Sequence, residues 1–229
     1  MSPEKQRIAS YKYATYGGIF NLGVLDMAMK GFSLREAAAI AEIPESTIRT
    51  AIEKRSITPP SSRVGKSIRY EFDVNELLFI KLLTEFPFSL GKEDKDSLRQ
   101  LVSKSSGSAG RWQMHGPDLL MKKGQLSVSV HFRSLREQLV ENVNLYRQGF
   151  DRIVSDPGIL GGEPVFRGTR IALEHIAGLF RKGVSETEIH EDYPTLSDLD
   201  MAFASIRARM SPPPGRPRKA LELRREKAA

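Results

Sequence analysis

The stretch FSLREAAAIAEIPESTIRTAIEKRSI, Phe32 to Ile57, decides how the front of this chain folds. Ser33 and Glu36 have capping-box spacing, in which the hydroxyl takes the N3 amide and the glutamate reaches back to the cap; Phe32 and Ala37 hold the flanking staple positions. A short helix starts there. Glu42-Ile43-Pro44 breaks it, and a second helical period, Ile48, Ala51, Ile52, runs on to end near Ile57, before Pro59-Pro60. The expectation is helix, tight turn, helix.

Downstream lies SSRVGKSIRYEFDVNELLFIKLL, Ser61 to Leu83, where Ile68, Tyr70 and Phe72 alternate as one face of a strand and Gly65 supplies the turn before it. A small hairpin, or wing, follows from that pattern. Asp73 with Glu76 forms a second capping box, with Phe72 and Leu77 as its staple, so another helix begins at once. Upstream, NLGVLDMAMKG reads as a preceding helix closed by Gly31. Residues 44–69 carry Arg49, Lys54, Arg55, Arg63, Lys66 and Arg69 against only Glu45 and Glu53. The second helix would present Ser46, Thr47, Arg49 and Thr50 near its N-terminal end, where a recognition helix meets base edges, with Lys54 and Arg55 at its other end. Arg63, Lys66 and Arg69 on the wing are placed to reach phosphates. The alternative is a solvated basic surface on a scaffold.

The totals set outer limits. A chain of 229 residues with 40% hydrophobic content can bury a core and suggests one or two domains or small linked modules. Cysteine is absent, so no disulfide or thiolate site is needed and a reducing cytoplasm suits it. No apolar run approaches the roughly 18 residues of a membrane span, and the first residues are charged, so a soluble cytoplasmic protein is expected. The net charge of +7 is unevenly spread. Lys and Arg exceed Asp and Glu by two over residues 1–90, by four over 91–150 and by four from 211 on, whereas acids lead by three over 151–210. An acidic module among basic ones suggests divided labour.

With the motifs S-L-R-E-A-A-A-I-A, P-E-S-T-I-R and R-Y-x-F-D-V-N-E-L-L-x-I, the front third resembles the winged helix-turn-helix of the MerR type. That resemblance implies a homodimer binding operator DNA through residues 1–90.

Residues 91–150 read as a connector. KEDKDSLRQLVSKSSGSAGRW is a polar helix running into Ser/Gly linker chemistry, with a hinge or exposed loop near Ser105 to Gly110. From Gln125 to Phe132 the residues alternate as a half-buried strand, and Ser134 to Phe150 follows as a helix with Leu135, Leu139, Val143 and Tyr146 in one stripe. An exposed strand there can pair with its copy. Trp112 is expected in the core or at an interface.

The rear, residues 151–210, opens on a glycine-rich corner, GGEPVFRGTRI, Gly161 to Ile171. It lacks the order of a phosphate loop: Gly162 to Gly168 is one residue too long, Thr169 precedes Arg170 instead of following a lysine, and Pro164 removes an amide. It reads instead as architecture. Gly158, Gly161 and Gly162 permit turns, Pro164-Val165-Phe166 is extended, and a helix runs from about Ile171 to Gly183. Ser185 with Glu188 and Ser197 with Asp200 are further capping boxes, so three short helices form a trihelical, homeodomain-like unit. Its third helix opens with Asp198 and Asp200, which would repel phosphates, so protein binding is the better role. The fold expected overall is mainly α (α+β).

The motifs D-P-x-I-L-G-G-x-P-V-F-R-G-T-R-I, G-V-S-E-x-E-I and D-Y-P-x-L make the rear similar to the family called domain of unknown function 433. Members commonly resemble VapB-type antitoxins paired with a PIN-like ribonuclease toxin, and that implies such a toxin as partner here. Arg167 and Arg170 would then form bidentate pairs with the carboxylates that hold a nuclease's metal, unless both tie down their own loop. The tail from residue 211 is proline-rich, then basic, and reads as flexible; Arg216, Arg218 and Lys219 are assigned to the toxin surface, although the run resembles an AT-hook core suited to a minor groove.

His115, His131, His175 and His190 show no metal-ligand spacing, and no nucleophile-base set stands out, so no cofactor, metal or enzyme activity is expected. The main reading is an antitoxin that represses its own operon; a MerR-like regulator with a C-terminal sensing domain is the alternative, with a hydrolase third.

Overall fold

A computed structural model describes residues 31–64, 67–86, 88–104 and 107–210. The expected helix before Gly31, the turn residues Gly65 and Lys66, and the whole tail with Arg216, Arg218 and Lys219 lie outside them. Among the described residues the chain is mixed α/β, with eight α-helices and three small antiparallel sheets.

The front opens with α1 (Leu34–Ala41) and α2 (Glu45–Glu53), separated by Glu42 in a left-handed conformation (φ 57°). Glu36 accepts the Ser33 amide at 2.7 Å, which fixes the start of α1 as its spacing foretold. Next come β1 (Ser61–Val64) and β2 (Ser67–Tyr70), an antiparallel hairpin, then α3 (Val74–Glu85), which begins where Asp73 Oδ1 accepts the Glu76 amide at 2.7 Å. The hairpin is anchored at its base: Phe32 and Phe72 exchange two backbone hydrogen bonds of 2.9 Å. Its tip is not. Ile68, expected on the core side with Tyr70 and Phe72, is 59% exposed because the strand runs beyond the core that covers Phe72.

The middle differs most from expectation. After α4 (Lys92–Lys104), the run expected to hold a linker and one strand is a four-stranded meander, β3 (Ser108–Ala109), β4 (Trp112–His115), β5 (Asp118–Lys123) and β6 (Leu126–Val130). Ser108 and Ala109 pair with β4, so they are strand rather than hinge. Each connection holds two residues, and the first of each pair, Gly110, Gly116 and Gly124, has φ near +60° (57°, 59° and 60°). Primed two-residue turns need that value, and only glycine adopts it without steric cost. Trp112 is fully buried, donates its indole N–H to the Asp94 carbonyl at 2.8 Å and packs on Phe86. It is a core residue.

Helix α5 (Phe132–Asp151) is the spine. Its stripe of Leu135, Leu139, Val143 and Tyr146 is buried, and it packs on α1, α3 and, behind, on α8 (Asp198–Arg209). Gly149 is needed there, because a β-carbon at that position would overlap the Phe203 side chain. The rear continues with β7 (Ile153–Val154), a 3-10 turn (Leu160–Gly162), β8 (Val165–Phe166), α6 (Leu173–Arg181), α7 (Glu186–Asp192) and α8. Both expected caps form, with Ser185 on the Glu188 amide and Ser197 on the Asp200 amide at 3.3 Å each. Buried side chains from Phe32 to Met210 make one continuous core.

The end of α1 is where the three parts meet. A helix leaves its last carbonyls without partners inside the helix. Here the carbonyls of Ala39, Ile40 and Ala41 accept from Arg209 Nη1 (3.3 Å), Asn142 Nδ2 (2.9 Å) and Lys81 Nζ (2.7 Å). One donor each comes from α8, α5 and α3, and the two cations also oppose the negative end of the helix dipole.

Candidate functional site

The front surface is built on α2 and the hairpin. Burial of Ile48 and Ala51 turns Ser46, Arg49, Thr50 and Glu53 outward. Thr47, Thr50 and Lys54 border one open cleft of about 360 Å³, whose other lining includes Ser56, Phe86, Phe88 and Lys95 and contains no carboxylate. Arg49 is exposed, and the Glu45 carboxylate lies 3.6 Å from its guanidinium, one helical turn earlier. Lys54, Arg55, Arg63 and Arg69 are exposed and have no hydrogen-bond or ion-pair partner among the described residues. Arg63 faces Ile68 across the hairpin and Arg69 faces Ser62, and because faces alternate residue by residue, the two arginines point to opposite sides of it. The structure therefore gathers Thr47, Thr50 and Lys54, sets Ser46 and Arg49 beside them, and splits the hairpin cations between two faces.

The glycine corner is closed upon itself. The amides of Gly162, Glu163, Phe166 and Thr169 donate to the carbonyls of Ile159, Leu160, Ile171 and Phe166. An anion would find few donors there. Gly161 and Gly162 take positive φ as expected, while Gly158 does not; Gly168 takes it too, and so does Leu160 (φ 47°), a residue without that freedom, which leaves its side chain 50% exposed.

Arginines of the rear are spent internally, with one exception. Arg152 grips Asp200 through Nε and Nη2 at 2.6 and 2.8 Å, although Asp200 is only 1% exposed. Burial pushes the Asp200 carboxyl up, yet hydrogen bonds from Arg152 and Ser197 outweigh it and hold the carboxyl below its ordinary range. Asp200 therefore cannot meet a phosphate: it is an internal counter-ion, contrary to the expectation drawn from its place at the start of α8. Glu174 collects Arg181 (3.0 Å) and Arg207 (2.6 Å), which overcome the effect of its burial and keep it ionised to lower pH than usual. Arg209 pairs with Glu42 at 2.8 Å. Arg167 donates to the Asp151 carbonyl at 2.8 Å, and its amide to the Arg152 carbonyl at 2.7 Å, so it ties its loop down. Arg170 has no such partner among the described residues. It lines a shallow cleft of about 560 Å³ with Leu160, Glu163, His175 and Tyr193, where His175 Nε2 and the Tyr193 hydroxyl are 2.7 Å apart.

Sequence reasoning treated Arg167 and Arg170 alike, and it missed His175 and Tyr193. The D-Y-P-x-L motif that holds Tyr193 was the available signal for the latter. Among the described residues no group of three or more His, Cys, Asp or Glu is placed to hold a metal, and no helix is long and apolar enough to cross a membrane.

Residues 153–205 match the family described as "Protein of unknown function (DUF433)". That stretch of the rear is a DUF433 domain. The corner, the Arg152–Asp200 pair's acidic half and the Arg170 cleft all fall inside it. A protein of Sinorhizobium fredii (strain NBRC 101917 / NGR234) that bears the name "Uncharacterized protein y4eO" is 39% identical over 66 residues, which cover 29% of this chain and 30% of that one. The chain thus matches under a third of that relative's length. No solved structure matches it.

Proposed function

We propose that the chain is an antitoxin that binds operator DNA through its front helices and hairpin, and neutralises a PIN-like ribonuclease toxin by direct contact through its DUF433 domain. The observation that carries this reading is the unequal availability of cations. Lys54, Arg55, Arg63 and Arg69 have no partner among the described residues at the front, while at the rear Arg152, Arg181 and Arg207 close on Asp200 and Glu174, Arg209 reaches Glu42 of the front, and Arg170 is left over. Free guanidinium and ammonium groups displace counter-ions from a duplex, and arginines already paired with carboxylates do so poorly. A hairpin with Arg63 and Arg69 on opposite faces suits insertion between two phosphate strands. At the rear, Arg170 beside the exposed Leu160 suits a carboxylate-bearing, partly apolar protein surface, and the resemblance of such domains to antitoxins supplies the partner class.

The test has two arms. Binding to the fragment upstream of the chain's own operon is measured against salt, and a salt-independent or absent interaction removes the DNA half of the reading. Co-expression with a neighbouring PIN-like nuclease is then scored for growth rescue; an Arg170→Ala variant that inhibits as well as the parent removes Arg170 from the toxin contact. A second reading, a MerR-like regulator whose rear domain senses a small ligand, is favoured by the cleft at Arg170 and Tyr193. A small molecule that stays with the purified chain and is lost in Tyr193→Ala would favour it over the antitoxin.

A further inference from the structure

The four-stranded sheet has two unlike edges. β3 is two residues long and packs against α4, where a β-carbon on Gly110 would press on Ser97. β6, with the sequence LSVSV, ends the strand order and is five residues long. Alternate backbone groups of an outermost strand point away from the sheet, and among the described residues nothing except β5 is bonded to the backbone of residues 126–130. Edges of this kind usually carry a lysine, a proline or a bulge that stops a further strand from adding. β6 carries none of these, and its pairing with β5 is unbroken from Leu119↔Val130 to Lys123↔Leu126. Val128 and Val130 extend the apolar row begun by the buried Met121 and Leu119, yet they are only half-buried, and Leu126 is 49% exposed.

We propose that β6 pairs antiparallel with β6 of a second copy about a two-fold axis at Val128, joining two four-stranded sheets into one. The strand itself selects this occupant, because its pattern reads alike in both directions from Val128. Val128 then faces the copy's Val128, Leu126 faces its Val130, Ser127 faces its Ser129 and Gln125 faces its His131. Apolar pairs lie on the core side and serine pairs on the other, and no charge opposes a like charge. A slip of one residue would set Val128 against a serine, so registers that keep apolar residues facing apolar ones are favoured, and the one centred on Val128 pairs the whole strand. The contact is isologous and closes at two copies. It stands apart from the proposed function, since nothing in it depends on DNA or toxin.

The sequence of 229 residues lacks cysteine, so Val128→Cys introduces a single thiol into it. Residues facing each other across an antiparallel pair have Cα atoms about 4.5–5.5 Å apart, within the span of a disulfide. Under mild oxidation Val128→Cys is expected to run as a covalent dimer on a non-reducing gel, while Ser108→Cys on the opposite edge stays single. Light scattering on the parent chain should show the mass doubling as concentration rises, and the double variant Ser127→Lys, Ser129→Lys should stay at monomer mass with an unchanged circular dichroism spectrum. A parent that is monomeric throughout, a Val128→Cys chain that does not cross-link, equal cross-linking at Ser108, or a lysine variant that still dimerises each overturns the pairing. Operator binding is read separately by its salt dependence, so either idea can fail alone.

Discussion

The hairpin and the DUF433 domain both carry arginines, but they use them differently. On the hairpin, Arg63 and Arg69 project from a two-stranded element that offers no carboxylate, so their charge is available to a partner. In the rear domain Arg152, Arg181 and Arg207 close on Asp200 and Glu174, and Arg209 reaches forward to Glu42. Net charge per segment hints at this division, yet the useful quantity is how many cations remain unpaired once the chain has folded. By that measure Arg170 is the exception in a domain whose other arginines are committed.

The strongest challenge to this contrast is Arg152→Ala. It takes the guanidinium from a buried carboxylate, and a fully buried pair costs on the order of 3–5 kcal/mol to break. Because the Arg152 side chain is 37% exposed and Ser197 still donates to Asp200, the loss should be smaller than that, yet enough to lower the urea midpoint at neutral pH. The loss also has a pH sense. Because Asp200 is held below its ordinary range, the pair's contribution is complete above that range and drains away as pH falls through about 4 and below. The gap between parent and variant should therefore narrow in acid; a gap that is flat with pH removes the ion pair as its cause.

Next in size come the hairpin cations. If Arg63 and Arg69 each neutralise one phosphate, each alanine variant should lower the slope of log affinity against log salt by about 1, and weaken binding at 0.1 M salt by roughly an order of magnitude. Lys182→Ala, an exposed cation of the DUF433 domain, should change neither quantity, and a loss there equal to that at Arg63 would erase the contrast between the regions. Within the rear, Arg170→Ala should weaken toxin inhibition while leaving the melting temperature unchanged, whereas Arg167→Ala should lower the melting temperature slightly through its lost bond to Asp151. The smallest effect is expected at Glu76, whose carboxyl is raised chiefly by burial, against the bond it receives from the Asp73 backbone. Its charged form is the disfavoured one in the fold, so Glu76→Gln should bring a slight gain in stability at neutral pH that fades in acid, opposite in sense to Asp200.

Local chemistry made much of this fold legible. Four capping boxes, at Ser33, Asp73, Ser185 and Ser197, set four helix starts within their own few residues, and the stripe on α5 needed only its spacing. The sheet was less accessible. Trp112–His115 alternates apolar and polar over only four residues, too short a run to stand out, Asp118–Lys123 does not alternate, and Gly110, Gly116 and Gly124 resemble linker residues until their shared turn role is noticed. The charge logic of the candidate site was half visible. Free cations at the front follow from a segment poor in acids, but the burial of Asp200 depends on Arg152, 48 residues away, and the separation of Arg167 from Arg170 depends on a carbonyl at Asp151. Such long-range matches have no local signature.

The end of α1 bears on how this chain can be taken apart. Cutting it after residue 90 would strip the Ile40 and Ala39 carbonyls of Asn142 and Arg209 and bare the faces of α1 and α3 that rest on α5. An excised front would thus be a poor stand-in for the intact chain, and strain introduced at the far end of α8 has a direct purchase, through Arg209, on the helix that leads into the turn before α2.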